Sequence, residues 1–272
     1  MVEEKEILEF QLYDWVEGVD GDKEVDGDKE VDNVDTKDNE VNNSENNKNF
    51  IIHSFGRCAD GKSVYAKITG YKPYFYFLIP EQKSILKTNK EKLEIDIQNF
   101  FDNIFKLKMF SSALEKIEVV TRMKSEGFNN NKKFLFCKLS FNSIEGMKKY
   151  KNYLEYNEIK IYGVNKKDVK VKLYEYSLPP MLRCFHDKNI SGCGWVKTNT
   201  NKIIKIDDLD KKSRCDIEID VNYNNLIPVK KDYNAPLIIC SFDIECYSID
   251  GEFPRATRNS DKIIQIGATY TR

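Results

Sequence analysis

The segment PYFYFLIP (73–80) opens the part of the sequence that decides the fold. Its run of aromatic and aliphatic residues predicts a β-strand. The segment EKLEIDIQNFFDNIFKLK (91–108) then changes to a helical period, because apolar residues recur on one helical face. These residues are Leu93, Ile97, Phe100, Phe101, Ile104 and Leu107. The pattern therefore predicts a strand followed by an amphipathic helix.

Two further strands and a second helix follow. IEVVTRM (117–123) and KKFLFCKLSF (132–141) predict strands on either side of the Asn-rich turn NNNK. NSIEGMKKYKNYLEY (142–156) predicts a helix, with Asn142 and Glu145 at the spacing of a capping box. The apolar face of this helix consists of Ile144, Met147, Tyr150 and Leu154. The pattern favours a strand pair followed by a second amphipathic helix.

The last element of this unit is a strand predicted over IYGVNKKDVKVKLYEYS (161–177). The complete order is β-α-β-β-α-β, so we expect an α+β fold with a ferredoxin-like subdomain over about residues 72–176. That topology hosts many unrelated functions, including RNA-recognition modules that stack bases on sheet aromatics. Phe134 and Phe136 alternate on one face of the third strand. Because the RNA-recognition signature is not present, core packing is favoured over base stacking.

The N-terminal sequence predicts paired strands around an acidic insertion. LEFQLYDW (8–15) has strand character, and Asp60-Gly61 between two strand-like runs is a strong hairpin signal. Residues 17–49 hold twelve acids and four bases, and VDGDKE repeats there with a period of six. We expect a disordered, solvated insertion in a loop between paired strands. A calcium loop is not favoured, because Val25 stands where the EF-hand glycine belongs.

The composition is that of a globular protein. The chain has 272 residues, of which 40% are hydrophobic and 12% aromatic, and a net charge of -1. The acidic insertion carries four bases minus twelve acids, or -8, so the rest of the chain carries +7, which suits an anionic partner such as nucleic acid. Seven cysteines without a C-x-x-C pair do not favour a zinc site. With no bilayer-length apolar run and no signal peptide, we expect an intracellular protein that does not engage a membrane and is not secreted.

The region after the ferredoxin-like pattern has weaker signals. We predict short strands within MLRCFHDKNISGCGWV (181–196) and RCDIEIDVNY (214–223). Trp195 is expected to anchor a core. LIPVKKDYNAP (226–236) has the prolines and polar residues of a linker, which places a domain boundary in front of the last segment.

Two acids interrupt the apolar strand in PLIICSFDIECYS (236–248). Alternation along a strand puts Asp243 and Glu245 on the same face, where two like charges repel. A divalent cation removes that conflict, since Mg²⁺ accepts carboxylate oxygens and two-metal nucleases use such pairs to activate water. The D-x-E pattern alone is weak, because DIEID (216–220) places its three acids on one strand face in the same way.

The sequence around this acid pair resembles the first exonuclease motif of family B DNA polymerases, specifically the delta-like replicative kind. In PLIICSFDIECYSIDGEFPRATRNSDKIIQIGATY (236–270), an apolar strand ends in S-F-D-I-E-C, and F-P precedes a second strand, DKIIQIG. Further segments resemble the N-terminal domain of the family in the same order: FQLYDWVEG, SFGRCADGKSVYAKITGYKPYFYF, YEYSLPPMLRCFHDKNISGCGWV and SRCDIEIDV. The Lys-, Asn- and Ile-rich composition would suit a large DNA virus.

The resemblance implies a polymerase N-terminal domain over residues 1–230 and the first strands of a ribonuclease H-like 3′-5′ exonuclease domain over residues 231–272. By motif position, Asp243 and Glu245 would be metal ligands of a two-metal Mg²⁺ proofreading site, and Glu245 would also orient the attacking water. DIEID (216–220) matches an N-terminal strand of the family instead, which gives it a structural role. The bound partner would be DNA, as template and primer 3′ end.

The resemblance also implies that this site is incomplete within the chain. The second and third exonuclease motifs of the family, its palm aspartates and its fingers lysine are not found in the sequence. We therefore expect the chain alone to be inactive and to be the N-terminal portion of a DNA-directed DNA polymerase. The remaining polymerase polypeptide and a sliding clamp would be its protein partners, in the nucleus or at a viral replication site in the cytoplasm.

Two alternatives stay open from the sequence. The chain could be a stand-alone, non-catalytic protein that binds single-stranded nucleic acid and carries a vestigial acid pair. It could also be a complete small Mg²⁺ nuclease, which needs ligands beyond Asp243 and Glu245 from Asp250, Glu252 or a second subunit. Salt-sensitive binding to single strands would support the first alternative, and excision by the purified chain would support the second.

Overall fold

The computed structural model describes residues 7–20, 49–80, 89–105, 111–124 and 126–271, which form a mixed α+β structure. The strands are β1 (Ile7–Val19), β2 (Phe50–Arg57), β3 (Ser63–Thr69), β4 (Tyr74–Leu78), β5 (Leu114–Met123), β6 (Lys133–Phe141), β7 (Leu173–Tyr174), β8 (Trp195–Asn199), β9 (Ile203–Lys205), β10 (Ile217–Asn222), β11 (Ile227–Val229), β12 (Ile239–Tyr247) and β13 (Lys262–Thr271). The α-helices are α1 (Lys90–Phe105), α2 (Ile144–Tyr156) and α3 (Pro180–Lys188). Among these helices, none has the length and apolar character that crossing a membrane requires.

The largest sheet has the strand order β11-β8-β1-β2-β3-β10-β9. Its neighbours pair antiparallel, except that β10 runs parallel to β3. The predicted hairpin at Asp60-Gly61 is confirmed, because β2 and β3 pair on either side of it. Gly61 has a φ of 92°, a conformation that glycine adopts without steric cost.

The acidic insertion lies in the sequence between β1 and β2, which pair with each other in this sheet. Val19 pairs with Phe50, so the predicted position of the insertion between paired strands is confirmed. Its predicted start at residue 17 is wrong, because residues 17–19 continue the register of β1 with β2. The predicted disorder concerns residues 21–48, which lie outside the described residues.

Helix α3 packs against the large sheet where the sequence predicted strands. Trp15 of β1 contacts Phe185 of α3, with ring centroids 4.1 Å apart, and both side chains are buried. Pro180 stands at the start of the helix, and Asn189 ends it in the left-handed conformation with a φ of 53°. The strand prediction over residues 181–196 is therefore wrong for its first half, since a proline start and an asparagine end bound a short helix there.

The second sheet has the strand order β5-β6-β4-β7 and is antiparallel throughout. Helices α1 and α2 pack on it and share a core that includes Phe75, Leu139 and Tyr150. Phe105 of α1 stacks on Tyr150 of α2, with ring centroids 4.2 Å apart. The predicted apolar face of α1 is confirmed for its described residues, and Leu107 lies outside them.

Two local predictions in this region are wrong. Helix α2 is capped by Ser143, whose Oγ accepts the backbone N–H three residues further on at 3.1 Å, and not by Asn142. The carbonyl of Asn142 instead accepts the N–H of Phe50 at 2.8 Å, which ties the start of α2 to the large sheet. The strand predicted over residues 161–177 shrinks to Leu173–Tyr174, because the residues before it form turns.

Phe136 of β6 packs inside the protein, whereas Phe134 is half-buried. Phe136 is 4% exposed and meets Tyr174 edge-on, with ring centroids 5.1 Å apart. The ammonium group of Lys124 lies 4.2 Å from the ring centroid of Phe134. The favoured prediction of core packing is therefore confirmed for Phe136, since its ring has no open face on which a base could stack.

The segment predicted as a linker is anchored to the large sheet. β11 pairs with β8, and the N–H of Ala235 donates to Oε1 of Gln11 at 2.7 Å. Trp195 of β8 is buried, and its Nε1 donates to the carbonyl of Tyr233 at 2.9 Å. Trp195 therefore anchors a core as predicted, whereas the linker prediction over residues 226–236 is wrong up to Ala235, because this backbone finds its partners in the sheet.

Candidate active site

The two acids singled out in the sequence lie in a β-hairpin that forms a sheet of its own. β12 and β13 pair antiparallel, with Asp243 opposite Gly267 and Glu245 opposite Gln265. Directly opposite residues share one face of an antiparallel pair, and residues two apart on one strand do the same. The register therefore puts both carboxylates on one face, in front of a glycine and a glutamine.

The hairpin has a polar face and an apolar face. Around the acids, the polar face contains Ser241, Asp243, Glu245, Gln265, Gly267 and Thr269. The apolar face contains Phe242, Ile244, Ile266, Ala268 and Tyr270. Phe242 and Tyr270 are each 72% exposed, so no layer covers the apolar face within the described residues. The acids have only polar or small neighbours, which leaves room for a hydrated ion or a substrate.

Both carboxylates are open to solvent. Asp243 and Glu245 are exposed, and Oδ1 of Asp243 accepts the N–H of Ile244 at 2.9 Å. A Cβ placed on Gly267, opposite Asp243, would meet no described atom within 4 Å, so the space over this glycine is open. The remaining carboxylate oxygens are accessible to a cation or to water.

The chemistry of the two side chains suits Mg²⁺. This ion takes oxygen ligands, keeps several of its waters and usually binds one or two protein carboxylates. Asp243 and Glu245 match that donor set. Among the residues that the structure describes, however, no group of three or more His, Cys, Asp and Glu side chains could hold a metal ion. Two carboxylates alone therefore do not complete a metal site, which needs more ligands than this pair offers.

Other charged residues order the loop between β12 and β13. Asp250 forms an ion pair with Arg258, and Oδ1 of Asp250 accepts the Ser248 hydroxyl at 2.6 Å. Nε of Arg258 also lies 2.9 Å from Oδ2 of Asp261. The hydrogen bond from the Ser248 hydroxyl is the largest cause of the lowered pKa of Asp250. Because Asp250 is engaged within the loop, the geometry does not favour it as an additional metal ligand.

The second acidic motif, DIEID, holds local structure. Glu218 is 4% exposed, and its carboxylate accepts the backbone N–H groups of Lys212 and Ser213 and the Ser213 hydroxyl, at 2.8 to 3.2 Å. Asp216 accepts the N–H and the hydroxyl of Ser63 at 2.8 and 2.7 Å. The predicted structural role of this motif is confirmed, since both carboxylates tie loop backbone to the large sheet.

Comparison with known proteins identifies the segment that contains the hairpin. The family model for the exonuclease domain of DNA polymerase family B matches residues 171–272. The DNA polymerase of Acanthamoeba polyphaga mimivirus is 34% identical over 235 residues, which cover 84% of this chain. The resemblance of this chain to DNA polymerase family B is confirmed. The family match begins at residue 171, well before the hairpin and within the predicted N-terminal domain, residues 1–230.

Two other relatives extend this comparison. The DNA polymerase of Phaeocystis pouchetii virus is 30% identical over 80% of this chain. The DNA polymerase delta catalytic subunit of Plasmodium falciparum is also 30% identical over 80% of the chain. The chain spans only 13% of the mimivirus protein, 21% of the Phaeocystis virus protein and 20% of the Plasmodium protein.

The fold agrees with a solved family B structure. The family B DNA polymerase from the hyperthermophilic archaeon Pyrobaculum calidifontis matches 97% of this chain and 26% of its own chain, with a TM-score of 0.60. Its sequence is 17% identical, so this likeness concerns the fold alone. The mixed α+β architecture predicted for a family B polymerase is confirmed.

Sequence reasoning missed the residues that face the acids across this family B hairpin. Gln265, Gly267 and Thr269 share the polar face with Asp243 and Glu245. A signal for them was present in the alternation of IQIGATY, where these residues are separated by larger or apolar ones. The alternation does not determine the pairing register of β12 with β13. That register places Gly267 opposite Asp243.

Proposed function

We propose that this chain is the N-terminal portion of a family B DNA polymerase, and that Asp243 and Glu245 serve its 3′-5′ proofreading exonuclease. The observation that carries the proposal is the polar face of the β12–β13 hairpin, where both acids stand together inside the segment matched by the exonuclease-domain model. The named relatives are DNA polymerases, which supports a parent enzyme that copies DNA and does not support the stand-alone binding protein. The binding of a sliding clamp remains a prediction, as does the location of the protein in the nucleus or at a viral replication site.

In this proposal the two carboxylates hold part of a two-metal Mg²⁺ site. Bound Mg²⁺ supplies an acidic water and stabilises the leaving oxygen. Asp243 and Glu245 offer exposed oxygens on one face, so the primer 3′ end approaches them without displacing a side chain. Glu245 orients the attacking water. The water oxygen bonds to the terminal phosphorus, the bond to the preceding 3′ oxygen breaks, and that oxygen takes up a proton as the nucleoside monophosphate leaves.

The apolar face of the hairpin needs further protein to cover it. A two-stranded hairpin alone is marginally stable in water, and exposed contiguous apolar residues mark a surface that other elements bury. Phe242 and Tyr270 illustrate this exposure. We infer that further exonuclease-domain segments of the parent polymerase cover this face and supply the remaining ligands on the polar face. The described chain alone then lacks excision activity.

We also propose the domain organisation implied by the resemblance, with an N-terminal domain over residues 1–230 and the start of the exonuclease domain over residues 231–272. The ferredoxin-like assignment of about residues 72–176 is supported by the element order β4-α1-β5-β6-α2-β7 and by the sheet order β5-β6-β4-β7. Because the N–H of Ala235 donates to Gln11 of β1, we place the boundary a few residues later than the resemblance implies, just after Ala235.

The size and activity of the native polypeptide test this proposal. An antibody against residues 51–180 should detect a band several times larger than 31.8 kDa in source material. Protein captured with that antibody should extend a primed template and remove a mismatched primer end when Mg²⁺ is present. A band near 31.8 kDa, with no synthesis by the captured protein, contradicts the proposal.

A further inference from the structure

A lysine-rich loop closes on itself after helix α2. Residues 159–170, the lysine loop, carry four lysines and one acid, Asp168. Two backbone hydrogen bonds of 2.9 and 3.1 Å join Ile159 to Val169, so the ends of the loop meet. A compact loop of this length with adjacent ends is an Ω-loop, a class that frequently carries function.

A buried asparagine holds the lysine loop in one shape. Asn165 is 5% exposed, and its Oδ1 accepts the N–H of Ile161 at 2.9 Å. Its Nδ2 donates to the carbonyls of Ile159 and Lys167 at 2.9 and 2.6 Å. Ile159, Ile161 and Val164 belong to the core of the four-stranded sheet. Because the loop is fixed from inside by the amide and by these apolar residues, its outer side chains stand on a rigid base.

The outer side chains of the lysine loop are mostly cationic. Lys160, Lys167 and Lys170 are exposed, and within the described residues no ion pair or hydrogen bond engages their ammonium groups. Lys172, just beyond the loop, differs, since its ammonium group lies 2.6 Å from a carboxylate oxygen of Glu126. Within the part of the chain that the structure describes, the lysine loop therefore presents three cations, Lys160, Lys167 and Lys170, that no carboxylate engages through an ion pair.

We propose that the lysine loop binds single-stranded DNA, with its lysines on the phosphates and Tyr162 stacked on a base. Proteins that bind single strands without sequence preference combine cations along the backbone with aromatic side chains that stack on bases. Tyr162 is 90% exposed, so both its ring and the lysines are accessible from solvent. The inference rests on the proposed polymerase function, which requires a template strand, and assigns a DNA contact outside the exonuclease hairpin.

The test measures binding of a fluorescent dT strand of about 20 nucleotides to the 272-residue chain by anisotropy, at NaCl concentrations from about 0.1 to about 1 M. EDTA is present, so neither metal-mediated binding nor excision contributes. Replacing Lys160, Lys167 and Lys170 by Gln together should lower the slope of log K against log salt by about 2, since each single-strand phosphate contact contributes about 0.7. If the variant and the wild-type chain bind the dT strand equally near 1 M NaCl, the variant should bind about 100-fold more weakly than the wild type near 0.1 M.

A matched control removes the same charge elsewhere. Lys202, Lys212 and Lys230 are exposed residues beside the large sheet, and their joint replacement by Gln should leave the slope unchanged. Equal slopes for the loop variant and the wild-type chain would overturn the proposal, as would an equal loss in the control variant. Binding to anionic phospholipid vesicles without binding to the dT strand would overturn it in favour of a membrane surface.

The tyrosine is tested separately. Tyr162→Ala should weaken binding about 5- to 150-fold, the range for losing one stacked base, and Tyr162→Phe should bind like the wild type. Unchanged binding by Tyr162→Ala would contradict the stacking contact. The loop proposal is tested by binding of the dT strand, and the exonuclease proposal is tested by excision in the complete polymerase, so failures of the two proposals are seen in different measurements.

Discussion

Asp243 lies directly opposite Gly267 in the β12–β13 hairpin, and the glycine leaves the space in front of the carboxylate open. Opposite residues in an antiparallel pair have Cβ positions about 5 Å apart, so any side chain at residue 267 would stand beside Asp243. Gly267 is not among the described residues with positive φ, so its backbone does not require glycine. We therefore expect Gly267 to serve the proposed site by leaving access to the acid.

A side chain at this glycine should obstruct excision. Gly267→Val in the complete polymerase should slow removal of a mismatched primer end by about tenfold to a hundredfold, because misplacing reacting groups by about 1 Å has effects of that size. Valine suits a strand, so the hairpin should still form. Single-turnover excision measures the effect, with Thr269→Val as the control on the same face. Excision at the wild-type rate by Gly267→Val would show that this space is not used.

The buried carboxylate of Glu218 should be needed for stability. Glu218→Ala leaves the N–H groups of Lys212 and Ser213 without their acceptor, and we expect it to lower the free energy of unfolding by about 3 kcal/mol. Glu252→Ala removes an exposed carboxylate and should change stability by no more than about 0.5 kcal/mol. Urea unfolding of both variants measures the difference, and equal stabilities would refute the structural role of Glu218.

The loop between β12 and β13 should respond to acid and not to physiological pH. The backbone N–H of Arg255 is the main cause that lowers the pKa of Asp261 below its ordinary value of 3.8, and the pKa of Asp250 is also lowered. A lowered folded-state pKa means that the contacts are present above that ordinary value and are lost as pH falls through the lower folded value. The amide of Arg255 should stay protected from hydrogen exchange at pH 5 to 8 and lose protection only as the pH falls below 3.8. Loss of this protection near pH 6 would contradict the prediction.

Asn165 should stabilise the subdomain that carries the lysine loop. Asn165→Ala leaves the buried N–H of Ile161 without its acceptor and removes two further hydrogen bonds, so we expect a loss of about 2 kcal/mol. Asn152→Ala, on the exposed side of α2, is the matched control. Urea unfolding reports the loss, and faster proteolytic cleavage within residues 159–170 reports the opened loop. Equal stability of the two variants would mean that the loop does not depend on this amide.

The elements around the four-stranded sheet were predictable because their periodicity was strong. Phe101 and Tyr150 fall on the apolar faces expected from spacing alone, and both are buried. The short helix at Pro180 was missed because nine residues give little periodic signal, and the sequence there also fits a strand. The cap at Ser143 was missed because two adjacent residues, Asn142 and Ser143, are both good caps, and only contacts with the large sheet decide between them.

The candidate site was predictable only in part. Alternation along β12 was sufficient to place Asp243 and Glu245 on one face, because side chains on a strand repeat every two residues. The partners Gln265 and Gly267 depend on the pairing register, which includes a bulge after Glu245 and follows from how the two strands meet. The ion pairs of the connecting loop likewise depend on its folded path, which no local pattern specifies.

The most direct test of the central claim is the ratio of excision to synthesis in the complete polymerase carrying Asp243→Ala and Glu245→Ala. We predict that excision of a mismatched primer end is abolished while primer extension continues at the wild-type rate, because the acids belong to the exonuclease hairpin. Glu252→Ala, which removes an exposed acid from the connecting loop, serves as the control and should keep both activities. Retained excision in the double variant would contradict the assignment of these two acids.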